Sequence, residues 1–512
     1  MVVKNFGCAV FGINATIVVV ETNINSGKLF FMVGLPDNAV KESHQRVSAA
    51  IKNIGLHMPR GREITVNLAP ADIRKEGSAY DMAIALGILA ASDQLSAERF
   101  AQFVVMGELS LDGEVRPIKG ALPIALEAKK HGFKGVVVPS ANAREAAIVE
   151  GLEVIGVDHL RQVVDFFDGR AELPRTTVDI AAEFAASTAN YLVDISDVRG
   201  QENIKRAFEI AAAGGHNVIL IGPPGAGKTM LAKRLPTILP PLHIEEALET
   251  TKIHSVAGKL RKDDSLLSVR PFRSPHHTIS DVALVGGGSF PQPGEISLAH
   301  NGVLFLDELP EFQRTVLEVL RQPLEDRVIT ISRAKFTVEY PASFMLVAAM
   351  NPCPCGYYNH PEKECVCPPG VVQKYLNKIS GPLLDRIDIH VEVTPVAFSE
   401  LSSERLSEKS VDVRERVVRA RKLQEQRYVE DPIHCNAQMS SQQVRRICRI
   451  DASGQAILQK AMERLGLSAR AYDRILKVAR TIADLGGSTD IRTEHLAEAI
   501  QYRSLDREGW AG

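Results

Sequence analysis

The spacing of hydrophobic residues changes twice along the chain, and the first segment mixes two periods. Between residues 1 and 170, short β-branched runs that end at turn residues alternate with stretches of helical spacing. The helical stretches lie at 38–54, 79–91 and 121–131, and the runs predict strands at 16–20, 28–33, 63–68, 103–106 and 135–138. This alternation predicts an α+β domain.

Two other patterns follow. Residues 171–190 are rich in Ala and Thr and have no clear period, so we interpret them as a linker. Within 191–397, fully apolar runs predict buried strands of a sheet covered on both faces, at 218–221, 303–306 and 346–350. Within 398–512 the spacing is helical, which predicts an all-helical C-terminal domain.

Composition limits the classes of function. The 512 residues suggest about three domains. A net charge of −2 with 24% charged residues excludes a globally basic protein, so any contact with nucleic acid must be a local patch or a pore lining. The apolar run at 8–20 has no cleavage signal and is interpreted as strands, and no uncharged stretch is long enough to cross a bilayer. We expect a cytoplasmic protein without a membrane partner.

The apolar run at 218–221 leads into a motif that binds phosphate. It matches G-x-x-x-x-G-K-[ST] between a strand and a helix, with the residues Gly222, Pro223, Pro224, Gly225, Ala226, Gly227, Lys228 and Thr229. Glycines allow backbone N–H groups to face phosphate oxygens, and the start of a helix favours negative charge. We expect Lys228 to reach the β- and γ-phosphates of ATP and Thr229 to hold Mg²⁺.

Polar residues end the two later apolar runs. Asp307 and Glu308 follow the run at 303–306, and Asn351 follows the run at 346–350. Phosphoryl transfer depends on positioning and on charge stabilisation. Asp307 is therefore predicted to orient Mg²⁺, Glu308 to polarise the attacking water, and Asn351 to hold that water or the γ-phosphate.

Four of the seven cysteines lie in the loop 353–367, directly after Asn351. They form two close pairs, Cys353-x-Cys355 and Cys365-x-Cys367. Such a cluster indicates a reducing compartment and a tetrahedral Zn²⁺ site that shapes the loop. Unliganded thiols and a reversible disulfide are alternative interpretations, and His360 is an alternative ligand.

The segment 191–397 resembles the AAA+ ATPases. In that family a turn at the position of Val198 and Gln201 frames the adenine, with an ordinary helix start as the alternative interpretation. The family's sensor 1 residue corresponds to Asn351.

The same resemblance gives roles to two arginines. Arg386 corresponds to the arginine finger, which inserts into the site of a neighbouring subunit and therefore implies a ring. A salt bridge to Asp385 or Asp388 is its alternative role. Arg470 corresponds to sensor 2, which touches the γ-phosphate of its own subunit, and Arg474 is the second candidate.

Two stretches are longer than this family's core requires. Residues 243–300 form one, and residues 324–340 alternate as a β-hairpin does. An insertion in helix 2 and a hairpin before sensor 1 resemble the clade of magnesium chelatase motor subunits and minichromosome-maintenance helicases, whose insertions point toward the pore. The resemblance places Arg333 and Lys335 at DNA phosphates, with exposed hairpin charges as the alternative.

Residues 107–120, with the helix and strand that follow, resemble the proteolytic domain of the Lon family. That family uses a Ser–Lys dyad. Ser78 lies in the corresponding serine turn, but the lysine position falls on Leu122, which cannot deprotonate a serine. Lys75 and Lys119 do not have the required spacing. We therefore predict a Lon-like fold without peptidase activity, in which Ser78 caps the next helix.

Together with the stretch SARAYDRILKVARTIADL at 468–485, these motifs resemble the ComM/YifB family over nearly the whole chain. The resemblance implies a Lon-protease-like α+β domain, an AAA+ phosphate-loop α/β core with two insertions, and an all-helical lid. It implies a hexameric homo-oligomer that uses ATP to translocate DNA, by branch migration during natural transformation. The alternatives are a remodeller of a protein complex, like a magnesium chelatase motor subunit, and an ATP-dependent protease.

Overall fold

The fold is known here from a computed structural model, which describes residues 2–187, 191–261, 264–288, 291–333, 336–358, 360, 362–395, 407–431 and 433–503. Among these residues, no helix combines the length and the apolar character that crossing a membrane requires.

The N-terminal segment is built on a mixed sheet of seven strands in the order β3-β4-β2-β1-β5-β8-β9. β2 pairs antiparallel with β1 and β4, and the other pairs are parallel. The strands of this segment are β1 (Val2–Phe11), β2 (Asn14–Ser26), β3 (Phe30–Val33), β4 (Arg62–Ala69), β5 (Phe103–Val105), β6 (Glu108–Leu109), β7 (Val115–Arg116), β8 (Gly135–Pro139) and β9 (Glu153–Val157). β6 and β7 form a separate short hairpin.

Helices cover this sheet, as the mixed pattern predicts. Their bounds are Asn38–Lys41, Ser43–Asn53, Asp81–Ala91, Ala121–Lys130, Ser140–Ala146 and Leu160–Phe167. The helix Asp81–Ala91 is almost entirely apolar and buried, because it packs on β1 and β2 in the centre of the domain. Its buried carboxylate at Asp81 accepts hydrogen bonds from Arg46 at 2.7 and 3.0 Å, which offsets the cost of burying a charge.

The predicted capping role of Ser78 is wrong. The helix begins at Asp81, and its preceding residue makes no side-chain cap. The Ser78 hydroxyl instead donates to the Glu108 carboxylate on β6.

The second segment contains a five-stranded parallel sheet in the order β11-β14-β17-β10-β18. The strands are β10 (Val218–Ile221), β11 (Phe272–Arg273), β12 (Gly286–Gly287), β13 (Gln292–Pro293), β14 (Val303–Leu306), β15 (Val328–Arg333), β16 (Phe336–Pro341), β17 (Met345–Met350) and β18 (Ile389–Glu392). The strands β10, β14 and β17 are fully buried, as their apolar runs predict.

Helices lie on both faces of this sheet and around its loops. Their bounds are Glu202–Gly214, Lys228–Ala232, Ile244–Val256, Asp281–Val285, Glu295–Leu298, Arg314–Glu318, Arg321–Asp326, Pro369–Leu376 and Gly381–Leu384. Helix Ile180–Ser187 precedes them, and its Ile180 and Phe184 pack on the N-terminal apolar cluster. Short 3₁₀ turns occur along the chain at Phe100–Gln102, Ile195–Asp197, Leu235–Ile238, Leu309–Glu311 and Asn436–Gln438.

The two predicted insertions have different outcomes. β15 and β16 form the predicted antiparallel hairpin. The stretch 243–300 is not one insertion, because β11 within it pairs with β14 as the edge strand of the sheet. The extra structure there is the small hairpin of β12 and β13.

The C-terminal segment is helical in its described part, as predicted. Its helices are Ser410–Arg427, Ser441–Ile447, Ala452–Leu465, Ala469–Leu485 and Thr493–Gln501. The first and fourth pack on the core helix Glu202–Gly214, with which they share one apolar cluster. Three basic residues of Ser410–Arg427 stabilise this packing. Arg416 pairs with Glu209 and Arg421 donates to the Ala212 carbonyl, both on the core helix. Arg427 pairs with Asp484 on the fourth helix.

The N-terminal segment also packs against the core. Helix Ala121–Lys130 contacts helix Ile244–Val256, and Leu242, Ala247 and Leu266 belong to the N-terminal apolar cluster. The Ser255 hydroxyl donates to the buried Glu145 carboxylate.

A buried ion cluster joins the lid to the sheet and gives a test of the fold. Asp388, just before β18, pairs with Arg474 and lies 3.0 Å from His216 Nδ1. Burial alone would raise the pKa of Asp388, but Arg474 and His216 hold it well below its usual range. We expect Asp388→Asn to lower the free energy of unfolding at pH 7 by about 3 kcal/mol, because the half-buried Arg474 and the buried His216 lose their anionic partner.

The pH dependence follows from the direction of this shift. Because the pKa of Asp388 is lower in the folded state than in the unfolded state, the ionised carboxylate stabilises the fold fully above the unfolded pKa of about 4. This stabilisation is lost as the pH falls from about 4 toward the folded pKa. In urea unfolding followed by circular dichroism, the difference between wild type and Asp388→Asn should therefore narrow below about pH 4. Asp385→Asn is the control, since its carboxylate lies 3.8 Å from the exposed Arg470. If Asp388→Asn and Asp385→Asn lose the same free energy of unfolding, the stabilising role assigned to Asp388 is wrong.

Candidate active site

The ends of three neighbouring strands meet at one edge of the parallel sheet. In the register of β10, β17 and β14, Ile221 lies opposite Met350, and Leu306 lies opposite Ala348. Residues that directly follow these strands therefore leave the sheet side by side. This places the phosphate loop, Asp307 and Asn351 together, as the sequence predicts.

The Lys228 ammonium lies at the centre of this group. Its Nζ donates to the carbonyls of Gly222 and Pro223 at 2.7 and 2.9 Å and to Asn351 Oδ1 at 3.0 Å. Burial lowers the pKa of Lys228, and the Asp307 carboxylate acts in the opposite direction. The cation is thus held by neutral oxygens that phosphate oxygens can replace.

The loop around Lys228 has the backbone that its glycines predict. Gly225 and Gly227 have φ of +79° and +84°, a region that favours glycine. A Cβ at Gly222 would lie 2.2 Å from the Val393 carbonyl, so the residue that follows β18 approaches the loop closely. The helix Lys228–Ala232 starts directly after Gly227.

Thr229 and Asp307 bring two oxygen atoms together next to the phosphate loop. The Thr229 hydroxyl donates to Asp307 Oδ2 at 2.6 Å. A hydroxyl and a carboxylate are the hard ligands that Mg²⁺ prefers, so this pair fits the predicted magnesium position.

Glu308 extends from the same strand end into a more open position. Its backbone is left-handed, with φ of +53°, which is uncommon for a residue with a side chain. Its carboxylate is 59% exposed and lies 3.1 Å from His277 Nδ1. The sequence alone assigns no role to His277. The pairing of β11 with β14 brings His277 and Glu308 together, and β11 is a strand of only two residues that no hydrophobic pattern predicts.

The predicted adenine turn packs against the phosphate loop. Gln201 Nε2 donates to the carbonyls of Ala226 and Thr394 at 3.1 and 3.2 Å. Its buried Oε1 has no hydrogen-bond partner among the described residues. Val198 is buried, and its carbonyl accepts from Ser407 at 3.0 Å.

The two predicted arginines lie at the opposite edge of the sheet. Arg386 precedes β18, whose first residue pairs with Val218 at the start of β10. Its guanidinium is buried, pairs with Glu325 at 2.5 Å and holds the pKa of that carboxyl below its usual range. The alternative partners predicted for it, Asp385 and Asp388, instead pair with Arg470 and Arg474.

This placement corrects the prediction for Arg470. Its guanidinium is 62% exposed and lies 3.8 Å from Asp385, at the edge where β18 begins. Strands of four residues separate that edge from the phosphate loop by about 13 Å. Arg470 therefore does not touch the nucleotide position of its own chain in this arrangement.

The four clustered cysteines converge. Their Sγ atoms all lie within 4.8 Å of one another, and none forms a disulfide. His360 is outside this group, and its Nδ1 accepts from the N–H groups of Glu362 and Lys363.

One of the two predicted DNA contacts lies at the end of β15. Arg333 is the last residue of β15, and Lys335 lies outside the described residues.

The N-terminal segment has no Ser–Lys pair at the position of Ser78. Leu122 is fully buried in the apolar core, and its N–H donates to Glu145. Lys75 is buried and donates to the Pro70 carbonyl, while Lys119 contacts Gly258.

Comparison with known proteins gives matches along the whole chain. Three family models match, described as magnesium chelatase subunit ChlI at 194–401, subunit ChlI of Mg-chelatase at 20–142, and the ChlI C-terminal part at 407–503. Part of the chain is also 31% identical to Lon protease 2 of Bacillus subtilis, over 24% of this chain and 22% of that protein.

Full-length relatives determine the family. The chain is 45% identical to competence protein ComM of Haemophilus influenzae, over 98% of this chain and 97% of that protein. It is also 45% identical to the uncharacterized protein YifB of Escherichia coli, over 98% and 96%. The chain belongs to the ComM/YifB family of magnesium chelatase-like AAA+ proteins.

Proposed function

We propose that this protein is a ring-forming, magnesium-dependent ATPase that moves DNA, most simply by branch migration. The observation that carries the ATPase part is the convergence of Lys228, Thr229, Asp307 and Asn351 at one sheet edge. These four residues supply a cation, a hydroxyl, a carboxylate and an amide, respectively. Phosphoryl transfer from ATP requires groups of these kinds.

Each residue has a separate task in this proposal. The glycine-rich backbone and Lys228 bind the phosphates, and Lys228 exchanges its carbonyl partners for phosphate oxygens. Thr229 and Asp307 hold Mg²⁺, which neutralises charge on the phosphates. Gln201 offers its buried Oε1 to the adenine amino group.

Water activation is assigned to Glu308 and Asn351. Glu308 takes the proton of the attacking water, and Asn351, already bonded to Lys228, orients the water against the γ-phosphate. His277 lies at hydrogen-bond distance from the Glu308 carboxylate and restricts its position.

The position of the arginines supports a ring. Arg386 and Arg470 lie at the sheet edge opposite the phosphate loop of their own chain. From there they act on the nucleotide of a neighbouring subunit, where they neutralise transition-state charge. For Arg386 this requires the pair with Glu325 to open when subunits assemble. A closed ring, of six subunits as the family resemblance implies, gives every nucleotide one such neighbour.

The DNA part of the proposal is supported by the hairpin of β15 and β16 and by family membership. A hairpin before the Asn351 strand, with Arg333 at the end of β15 and Lys335 two residues further along the sequence, can present cations to phosphates in the pore. The N-terminal segment is proposed to be a Lon-like domain without peptidase activity, since Leu122 replaces the lysine. The alternative function, remodelling of a protein complex, is supported by the match to magnesium chelatase subunit models.

Two variants separate ATP binding from ATP turnover. Lys228→Ala should weaken binding of a fluorescent ATP analogue at least about 10-fold, because a charge-assisted hydrogen-bond donor is lost. Glu308→Gln should keep this affinity and lower kcat about 100-fold, the usual contribution of a general base. Lys233→Ala, an exposed lysine further along the chain, is the control and should match wild type. Full turnover in Glu308→Gln would exclude Glu308 as the base.

DNA dependence of the ATPase separates the two candidate functions. We expect the steady-state rate of ATP hydrolysis to rise severalfold when DNA is added. A four-way junction should raise the rate more than single-stranded or duplex DNA does. Glu308→Gln gives the background rate. Arg333→Ala and Lys335→Ala should lower this stimulation and its salt dependence while the DNA-free rate stays unchanged. A rate that no DNA alters would exclude the DNA motor and favour the protein remodeller.

Mixing variants tests the shared site. Arg386→Ala and Lys228→Ala should each be inactive alone. In equal mixture, random assembly gives roughly a quarter of the interfaces one intact Lys228 and one intact neighbouring Arg386, so hydrolysis should partly return. A mixture of Lys228→Ala with Glu308→Gln is the control and should stay inactive, because both residues serve the same subunit's site. Full ATPase activity of Arg386→Ala alone would exclude Arg386 as the arginine finger.

A further inference from the structure

The sulfur geometry of the cysteine loop fits one tetrahedral metal ion. Sγ of Cys353 lies 3.3 Å from Sγ of Cys355 and 3.7 Å from Sγ of Cys365, and the latter two are 3.6 Å apart. Four sulfurs at about 2.3 Å from a zinc ion lie about 3.8 Å from one another. A disulfide requires about 2.05 Å, so these distances match shared coordination and do not match covalent pairing.

The surrounding backbone supports Cys353 as a ligand. The N–H groups of Gly356 and Tyr358 donate to Cys353 Sγ at 3.2 and 3.3 Å. Hydrogen bonds of this kind orient a metal ligand and stabilise its thiolate form. Four thiolates in a closed tetrahedron favour zinc with a structural role, because no coordination position is left for a substrate.

The cysteines join the two ends of an irregular loop. Cys353 and Cys355 follow β17 after Asn351, and Cys365 and Cys367 precede helix Pro369–Leu376. Between these two elements, the described residues form no helix or strand. A shared metal ion would therefore determine the shape of this loop.

The same loop contacts the phosphate loop. Gly356 has φ of +86°, and a Cβ at this position would lie 2.4 Å from Cδ of Pro224. Gly222 and Pro223 of the phosphate loop line one cavity of about 120 Å³ together with Gly356 and Tyr358. Asn351, two residues before Cys353, accepts the hydrogen bond of Lys228.

We infer that Cys353, Cys355, Cys365 and Cys367 bind one Zn²⁺ and that this ion holds the cysteine loop against the phosphate loop. Occupancy of the metal site then controls nucleotide binding through Gly356 and Asn351. The metal assignment stands on the sulfur geometry alone, whereas the control of nucleotide binding rests on the proposed ATP site.

The metal is tested first, by elemental analysis of protein purified without added metal. We expect about one zinc per chain in wild type and none in Cys365→Ser. Cys448→Ala, a buried cysteine of the lid outside the cluster, should keep its zinc. If Cys365→Ser does not fold, cobalt-substituted wild type decides, since it should show thiolate-to-cobalt charge-transfer absorption. Zinc-free wild type, bound iron or a disulfide in the folded protein would overturn the assignment.

The coupling is tested by the affinity for a fluorescent ATP analogue with Mg²⁺. Cys365→Ser should bind the analogue about 10-fold more weakly than wild type. Gly356→Ala should keep its zinc and also lose affinity, because its Cβ would displace Pro224. Gly370→Ala is the matched control, since an added Cβ there meets nothing within 4 Å. Unchanged affinity in Cys365→Ser and Gly356→Ala would overturn the coupling.

Lys228→Ala distinguishes failure of this inference from failure of the proposed function. If Lys228→Ala loses the analogue while the loop variants keep it, the ATP site stands and the coupling is wrong. If Lys228→Ala binds as wild type does, the proposed ATP site is wrong, and the zinc content of wild type still decides the metal assignment.

Discussion

The parallel register of β10, β17 and β14 is the constraint on which the rest of the candidate site depends. It aligns the strand ends so that Lys228, Asp307 and Asn351 leave the sheet as neighbours. All three strands are buried on both faces, so a slip of one residue would turn that strand's side chains to the opposite face of the sheet. Packing of apolar side chains therefore maintains the hydrogen bond from Lys228 to Asn351.

The same sheet separates two groups of charges. The residues proposed to bind phosphate occupy the edge where the strands end, and the arginines with their acidic partners occupy the edge where β18 begins. One chain thus carries both groups of the proposed shared site at opposite ends of its strands. In the proposed ring, the arginines of one chain lie at the phosphate loop of the next.

Two further contacts connect the core to the rest of the chain. The N-terminal segment packs on helix Ile244–Val256, where Ser255 and the Leu122 N–H share the Glu145 carboxylate. Burial raises the pKa of Glu145, and these hydrogen bonds act in the opposite direction. The cysteine loop contacts Pro224 of the phosphate loop. The core therefore packs against the N-terminal segment through one helix and against the cysteine loop through the phosphate loop.

Local sequence determined the elements that local physics controls. The apolar run at 218–221 predicted β10 to the residue, and the glycines predicted the phosphate loop, because strand burial and left-handed turns are properties of a few adjacent residues. The two-residue strand β11 has no such pattern and was missed. Only the tertiary structure decided the partner of Ser78, the contact of His277 with Glu308 and the edge on which Arg470 lies. These distances depend on strand order and register, which join residues far apart in the chain.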